Sequence, residues 1–348
     1  MRTPLPTPAP AAAPEQETPR RTVAAWSLPV WAAVLASAAA GLLLDFASAP
    51  VGWWPLTFVS VTVALVALIG RSIGGALLVG TVFGAVFYTT HLVWVGEFLG
   101  PVPWLALAGL EAVLFGAGAV PIALSYRWTA RYPARGLVQL LAVPPLIGVL
   151  WTAREVVMGA WPYSGFPWAR LGMTQVGGPL AEAVSWTSVT GLSLLIVVVC
   201  ASVVQWIRAG AIRFMLGLHP AVSVAVLLVV TPQFPTAPAG EFRVGWVQGN
   251  GPTGYFDDKA PGDVLAAQTA ATVPLYGQPM DLLAWPEGGV DADPLSDPAA
   301  AKALDRVVRS AEAPLLMNAA TTRGDDVFNT SLLWTADPTD RQWHDKVN

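Results

Sequence analysis

The sequence has little charge and almost no cysteine or histidine. Its 348 residues include one cysteine, Cys200, and three widely separated histidines. One cysteine excludes an intrachain disulfide and a Cys-rich metal site, and the histidines lack metal-ligand spacing, so we expect no metal or other cofactor. No stretch is strongly basic, which argues against a nucleic-acid partner. Only 12% of the residues are charged, against about 25% in soluble proteins, and 54% are hydrophobic, so an ordinary soluble protein is excluded.

Lysine is absent from the first 240 residues. This part holds eleven Arg and seven Asp/Glu, a net charge of +4, whereas residues 241–348 hold eight Lys/Arg and sixteen Asp/Glu, a net charge of −8. The two values sum to the net charge of −4 of the whole chain. The uneven distribution predicts a membrane part followed by an acidic part in water.

The apolar part follows a tail rich in proline and alanine. Residues 1–24 cannot bury a core, and we expect a disordered cytoplasmic tail. A cleaved signal peptide is the alternative, but the next apolar segment is long and has several successors. Seven segments approach the ~20 residues that a helix needs to cross a bilayer, which predicts a polytopic α-helical membrane bundle over residues 25–231. The expected bounds are 25–44, 51–69, 73–95, 102–125, 137–157, 185–207 and 214–231.

The arginines predict the orientation of this bundle, because basic side chains favour cytoplasmic connections. Alternate connections are basic, starting with the N-terminal tail, and those between them are mostly acidic. The basic set comprises Arg20, Arg21, Arg71, Arg127, Arg131, Arg135, Arg208 and Arg213, and the other set Asp45, Glu97, Arg170 and Glu182. We therefore expect a multi-pass protein of the cell (cytoplasmic) membrane with a cytoplasmic N-terminus. Residues after about 232 are then expected on the outer, periplasmic side.

The connection 158–184, on the predicted outer side, is aromatic and is interrupted by proline and glycine. One interpretation is an interfacial re-entrant loop that anchors the protein. The other is the wall of a site through which a lipid enters. In that case Trp161, Phe166 and Trp168 would contact the substrate, and both interpretations stay open.

Two residues inside the predicted helices, Glu111 and Cys200, could be either functional or structural. Glu111 lies in the fourth segment, where ionisable groups are costly and often functional. With no partner assigned in the sequence, we expect a structural, neutral carboxyl group. Cys200 lies in an all-apolar run. Because a catalytic thiolate needs a polar, partly exposed site, we expect Cys200 to be a packing residue.

A Pro-rich linker at 232–240 leads into residues 241–348, where strand and helix patterns alternate. Strands are expected at 242–248, at 282–285, from Leu315 and at 329–334. Helices are expected from Asp263 to Val273 and from Pro298 to the residue before Pro314, the second with Asp297 as its N-cap. Alternating strands and helices predict an α/β layered domain, of which these residues would form an incomplete one.

The second of these strands ends near a carboxylate, Glu287, which follows Trp285 and Pro286. Two glycines after it permit a sharp turn and a close approach of other groups. A solvated turn residue is the alternative. Paired with a lysine later in the chain, Lys346, the carboxylate has the chemistry of acyl transfer. It would take the proton of a nucleophile, while the ammonium would stabilise the oxyanion.

Five short motifs resemble those of a known family. In chain order they are Gly165-Phe166-Pro167-Trp168, Val247-Gln248-Gly249-Asn250, Trp285-Pro286-Glu287, Phe328-Asn329-Thr330 and His344-Asp345-Lys346. Behind a polytopic membrane bundle, this ordered set resembles the apolipoprotein N-acyltransferases over residues 25–348. Residues 241–348 resemble the N-terminal part of a nitrilase-like (carbon–nitrogen hydrolase) domain, an αββα sandwich with a Glu, Lys, Cys triad.

The resemblance implies phospholipid-dependent N-acylation, a step of lipoprotein maturation. In the family, a cysteine takes an acyl chain from a membrane phospholipid as a thioester. The α-amino group of the diacylglyceryl-cysteine of an apolipoprotein then takes the chain as an amide. Glu287 matches the general base of the family and Lys346 its catalytic lysine.

The chain departs from the family pattern in two respects. The nucleophilic cysteine and a last transmembrane helix follow the catalytic lysine in the family, and these 348 residues contain neither, so we expect an inactive fragment. Asn318 stands where the family has small apolar residues, and the sequence offers no interpretation of it.

Two other functions stay open. A membrane-tethered amidase acting on a small amide would share Glu287 and Lys346. A transporter or binding protein with an outer domain is the other, and a transporter would show internal repeats and several ionisable residues at mid-membrane. Of those features only Glu111 stands out in the sequence, which shows no repeat.

Overall fold

The computed structural model describes residues 27–131, 136–209, 222, 224–226, 230–232 and 234–347. They form two compact units. The first unit holds the described residues up to Leu92 together with Leu105–Phe234. The second unit holds Val93–Trp104 and the described residues from Pro235 onward.

The first unit is built from apolar helices. They are α1 (Val30–Ala47), α2 (Leu56–Leu68), α3 (Ile73–His91), α5 (Pro101–Arg131), α6 (Gly136–Met158) and α7 (Val184–Ala209), and α5 begins in the second unit. Five stretches are long and apolar enough to cross a membrane: Val30–Ala47, Ile73–His91, Pro101–Thr129, Gln139–Met158 and Ala181–Arg208. The membrane bundle predicted from the sequence is therefore confirmed in its main feature.

The count of seven crossings stays a prediction. The segment expected at 51–69 is helical over Leu56–Leu68 only, which is 13 residues. The segment expected at 214–231 lies largely outside the described residues. The segment expected at 73–95 was too long, because α3 ends at His91 and a separate short helix, α4 (Val93–Leu99), follows it. The backbone carbonyl of Phe98 in α4 accepts a hydrogen bond from the amide of Tyr255, both in the second unit.

Small residues let α3 and α5 approach closely. A Cβ atom added to Gly80 would lie 2.6 Å from the Cβ of Ala119 and 2.9 Å from the Cα of Gly116. One turn further along α3, a Cβ on Gly84 would lie 2.7 Å from the Cα of Ala112. Lipid tails are as apolar as the helices, so no hydrophobic driving force brings helices together in a membrane. They associate instead through close van der Waals packing of this kind.

A buried charged cluster lies among these helices. Glu111 is buried in α5, and it lines the same small cavity as Arg154 and Glu155 of α6. Arg154 lies 3.6 Å from Glu155, whose Oε1 accepts hydrogen bonds from Trp151 Nε1 and the amide of Leu171. α6 thus brings two further charged groups to the cavity that Glu111 lines, and the structural, neutral role of Glu111 stays a prediction.

The second unit contains a five-stranded mixed sheet. Its strands are β1 (Val244–Trp246), β2 (Leu282–Ala284), β3 (Leu315–Arg323), β4 (Asp326–Trp334) and β5 (Gln342–Asp345), in the spatial order β1-β2-β3-β4-β5. The first three strands are parallel, and β4 is antiparallel to both β3 and β5. The strand bounds differ from the predicted ones by a few residues, and β5 had no predicted bounds. A second sheet, as an αββα sandwich requires, is not present in residues 235–347.

Two helices cover one face of this sheet: α8 (Asp263–Thr272) and α9 (Pro298–Ala311). Asp297 caps α9 as predicted, accepting from the amides of Ala299 and Ala300. The apolar face of α9 shares one core with alternate residues of the strands. Burial alternates along β3 and β4, so the opposite face of the sheet is the more exposed one, and it carries the candidate site.

Candidate functional site

Glu287 lies on a turn directly after β2. Trp285 is buried, and its indole Nε1 donates a hydrogen bond to Thr272 Oγ1 over 3.0 Å, which fixes the end of the strand in the core. The chain then turns, with the amide of Gly289 donating to the carbonyl of Pro286. Gly288 has a φ of 67°, a conformation that favours glycine. The Pro-Glu-Gly-Gly sequence therefore presents the Glu287 carboxylate at the end of a rigid strand.

Lys346 reaches Glu287 from β5, the strand at the far end of the sheet order. Because β4 is antiparallel to both of its neighbours, β5 runs in the direction of β2 and β3. The residues that follow β2 and β5 therefore lie at the same edge. The Nζ atom of Lys346 lies 3.0 Å from Oε1 of Glu287. The side chains are 59% and 63% exposed, so the pair is open to solvent among the described residues.

Asn329 of β4 completes the contacts of the carboxylate. Its Nδ2 donates to Oε1 of Glu287 over 2.8 Å, and its backbone carbonyl accepts from the amide of Lys346 over 2.9 Å. Asn329 therefore contacts both charged residues at once. Its own Oδ1 accepts from Nδ2 of Asn318 on β3, at 2.5 Å.

These contacts set the charge of the site. The hydrogen bond from Asn329, followed by the hydrogen bond and positive charge of Lys346, holds the pKa of Glu287 below its usual range. Glu287 is therefore ionised at neutral pH and can accept a proton. The ammonium beside it is a donor that can stabilise a developing negative charge.

Two clefts border the pair. One has a volume of about 830 Å³ and the other of about 520 Å³, and Glu287, Asn318 and Asn329 line both. Lys346 lines the smaller one, and Lys259 lines the larger. Both volumes lie in the range of small-molecule binding sites, about 300–1,000 Å³, so either cleft can hold a ligand beside the carboxylate.

The three aromatic residues predicted to contact a substrate lie in the first unit. Phe166 and Trp168 stack with their ring centroids 6.0 Å apart, and Trp161 and Trp168 are 60% and 48% exposed. Gly165 has a φ of 75°, and a Cβ there would lie 2.3 Å from the amide nitrogen of Ala160, so the loop requires glycine.

Cys200 also lies in the first unit, within α7. It is 1% exposed, and its Sγ lies 3.6 Å from the carbonyl oxygen of Phe58. The prediction that Cys200 is a packing residue agrees with this burial.

The sequence assigns no role to two polar residues of the site, Asn318 and Asn329. Asn329 belongs to the motif Phe328-Asn329-Thr330, and Asn318 belongs to none of the five motifs. Alternation along the predicted strand 329–334 places Asn329 on the face opposite to Thr330, Leu332 and Trp334, which the structure buries. No comparable signal places Asn318 next to it, because that contact depends on the register of β3 against β4.

Comparisons with known proteins agree with the resemblance. Residues 40–202 match the family model described as the apolipoprotein N-acyltransferase N-terminal domain. The chain is 30% identical over an alignment of 282 residues to the apolipoprotein N-acyltransferase of Azotobacter vinelandii, and the match covers 75% of this chain and 52% of that protein. It is 28% identical over an alignment of 342 residues to that of Mycolicibacterium smegmatis, and the match covers 88% of this chain and 55% of that protein.

The chain spans about half the length of these curated relatives. Several further relatives carry the same name, among them that of Vibrio parahaemolyticus, 25% identical over 324 residues, covering 86% of this chain and 59% of that protein. The resemblance to apolipoprotein N-acyltransferases is thereby confirmed.

Proposed function

We propose that this protein catalyses the phospholipid-dependent N-acylation step of lipoprotein maturation. The acyl donor is a membrane phospholipid, and the acceptor is the α-amino group of the N-terminal diacylglyceryl-cysteine of an apolipoprotein. The observation that supports this best is the Glu287–Lys346 pair, 3.0 Å apart, in a chain that resembles apolipoprotein N-acyltransferases.

Glu287 acts as general base in this proposal. It takes the proton of a cysteine thiol, and the thiolate attacks the ester carbonyl of the phospholipid. Asn329 and Lys346 both bind Oε1, so we assign the proton-accepting role to Oε2. Lys346 stabilises the oxyanion of the tetrahedral intermediate. Collapse of that intermediate breaks the ester C–O bond, Glu287 gives its proton to the departing glycerol oxygen, and the lysophospholipid leaves while the thioester remains.

The second stage restores the thiol. The α-amino group of the acceptor attacks the thioester carbonyl and gives a proton to Glu287. The second tetrahedral intermediate collapses to the amide and a thiolate, and the thiolate takes the proton from Glu287 to restore the thiol. Cys200 is buried in α7 and is the single cysteine among these 348 residues. We therefore propose that a polypeptide consisting of these residues alone forms no thioester and is inactive.

The membrane part serves the lipid substrates in this proposal. Trp161, Phe166 and Trp168 contact the acyl chains, as the exposure of the two tryptophans supports. The arginine distribution supports a cytoplasmic N-terminus and an outer location of residues after 232.

The test is an acyl-transfer assay of the protein expressed from its complete gene. Vesicles of phospholipid with deuterated acyl chains are mixed with a synthetic lipopeptide that begins with diacylglyceryl-cysteine. Mass spectrometry should find the deuterated chain in amide linkage on the lipopeptide. Glu287→Gln and Lys346→Met should each slow this transfer by roughly a hundredfold or more.

Other results would overturn the proposal in different ways. Cleavage of a small amide without acyl transfer would support the amidase. Solute transport that Glu111→Gln abolishes and Glu287→Gln leaves intact would support the transporter. Transfer by the 348-residue polypeptide carrying Cys200→Ser would contradict the thioester chemistry.

A further inference from the structure

Asn318 connects the two elements that hold Glu287. It lies on the exposed face of β3, and its Oδ1 accepts a hydrogen bond from the amide of Gly288 over 2.8 Å. Its Nδ2 donates to Oδ1 of Asn329 over 2.5 Å and to the backbone carbonyl of Thr330 over 3.1 Å. One side chain therefore contacts the turn after β2 and the strand β4.

The direction of these hydrogen bonds is determined by the backbone. The amide of Gly288 can only donate, and the carbonyl of Thr330 can only accept. Asn318 must therefore direct its oxygen towards Gly288 and its NH₂ group towards β4. The NH₂ group faces Oδ1 of Asn329, which turns the NH₂ group of Asn329 towards the Glu287 carboxylate.

The opposite orientation of Asn329 would be unfavourable. It would place the Asn329 oxygen against the Glu287 carboxylate, and two acceptors would then face each other. A rotated amide is otherwise sterically equivalent to the observed one, since the oxygen and nitrogen have almost the same size. The polar contact with Asn318 therefore distinguishes the two orientations.

We propose that Asn318 is a positioning residue, which fixes the amide orientation of Asn329 and the turn that carries Glu287. It acts through Asn329 and the amide of Gly288, and it does not touch the reacting atoms. Its consequence for catalysis rests on the proposed acyl transfer, whereas its consequence for Glu287 does not.

The decisive measurement is the pKa of Glu287 in the full chain. The chain is labelled with ¹³C at the side-chain carboxyl carbon of glutamate and titrated by NMR in detergent micelles. The Glu287 signal is identified by its loss in Glu287→Gln. Because the hydrogen bond from Asn329 lowers the pKa of Glu287, Asn318→Ala should raise that pKa towards the value of an exposed glutamate.

Two further variants separate positioning from a general structural effect. In an Asn329→Leu background, Asn318→Ala should have a clearly smaller effect on the Glu287 pKa, because its partner is gone. Ser331→Ala is the matched control: Ser331 is the register partner of Asn318 on β4 and also borders the smaller cleft. It should leave the pKa of Glu287 unchanged.

The positioning role of Asn318 is contradicted if Asn318→Ala leaves the Glu287 pKa unchanged, if it shifts that pKa equally with and without Asn329, or if Ser331→Ala shifts it as much. In the transfer assay, Asn318→Ala should lower kcat by about tenfold and leave KM unchanged. Absence of transfer in the unsubstituted protein would contradict the proposed function and leave the titration result standing.

Discussion

The ammonium of Lys346 lies 3.0 Å from the carboxylate of Glu287, although 59 residues separate them in the chain. The sheet accounts for this proximity. The parallel arrangement of β2 and β3, followed by two antiparallel pairings, makes β5 run in the same direction as β2. Lys346 directly follows β5, and Glu287 lies on the turn after β2, so the two residues meet at one edge of the sheet. The pair is thus positioned by rigid elements, with Asn329 between them.

Removal of either charge of this pair should affect chemistry far more than folding. Both side chains are more than half exposed, and exposed ion pairs contribute about 0 to 1 kcal/mol to stability. Glu287→Gln and Lys346→Met should therefore keep the urea midpoint of unfolding close to that of the unsubstituted protein, while transfer is lost. Proteolysis in increasing urea measures the first property and the lipopeptide assay the second. A large decrease of the midpoint in either variant would show a structural role instead.

The acid limb of the pH–rate profile should lie below the usual range of a glutamate. The pKa of Glu287 is lowered, so the ionised base persists as the pH falls and kcat/KM declines only when the pH passes that lowered value. Asn329→Leu removes the largest cause of the lowering and should move the acid limb to higher pH. A profile of kcat/KM between acidic and neutral pH, measured for the unsubstituted protein and for Asn329→Leu, gives the acid limb of each. An acid limb that Asn329→Leu leaves in place would assign it to another group.

The apolar face of α9 should carry much of the stability of the second unit. Leu304 is fully buried in the core that α9 shares with the sheet. Leu304→Ala should lower the free energy of unfolding by about 2–5 kcal/mol, through lost burial and the cavity that remains. Lys302→Ala on the exposed side of the same helix is the control and should change it by less than about 0.5 kcal/mol. Proteolytic fragments from residues 241–347, followed in increasing urea, report this unit within the full chain.

The general architecture could be predicted from the sequence because it depends on local patterns. Apolar segments near the length of a bilayer indicated the helices, and Asp297 before Pro298 indicated the start of α9. Glu287 could be selected because an apolar run, a proline and two glycines mark a strand end. These signals lie within a few residues of each other.

The contacts that organise the site could not be predicted in the same way. The bond between Asn318 and Asn329 requires the register of β3 against β4, where Ala320 pairs with Asn329. The charged cluster of Glu111, Arg154 and Glu155 requires the relative rotation of two helices, and Arg154 and Glu155 lie in a segment that is otherwise largely apolar. Such contacts depend on tertiary structure, to which a local pattern is insensitive.

The orientation of the protein in the membrane can be tested with two engineered cysteines. Asp325 lies in the exposed turn between β3 and β4, on the predicted outer side. Gly74 lies in the first turn of α3, near Arg71 on the predicted cytoplasmic side, and a Cβ atom there meets nothing within 4 Å. In right-side-out membrane vesicles, an impermeant maleimide should label Asp325→Cys at once and Gly74→Cys only after permeabilisation. Both variants are made in the 348-residue polypeptide, in which Cys200 is 1% exposed, so that polypeptide without an engineered cysteine should stay unlabelled and serves as the background. The reverse labelling pattern would invert the orientation, and it would separate Glu287 and Lys346 from any acceptor on the outer face.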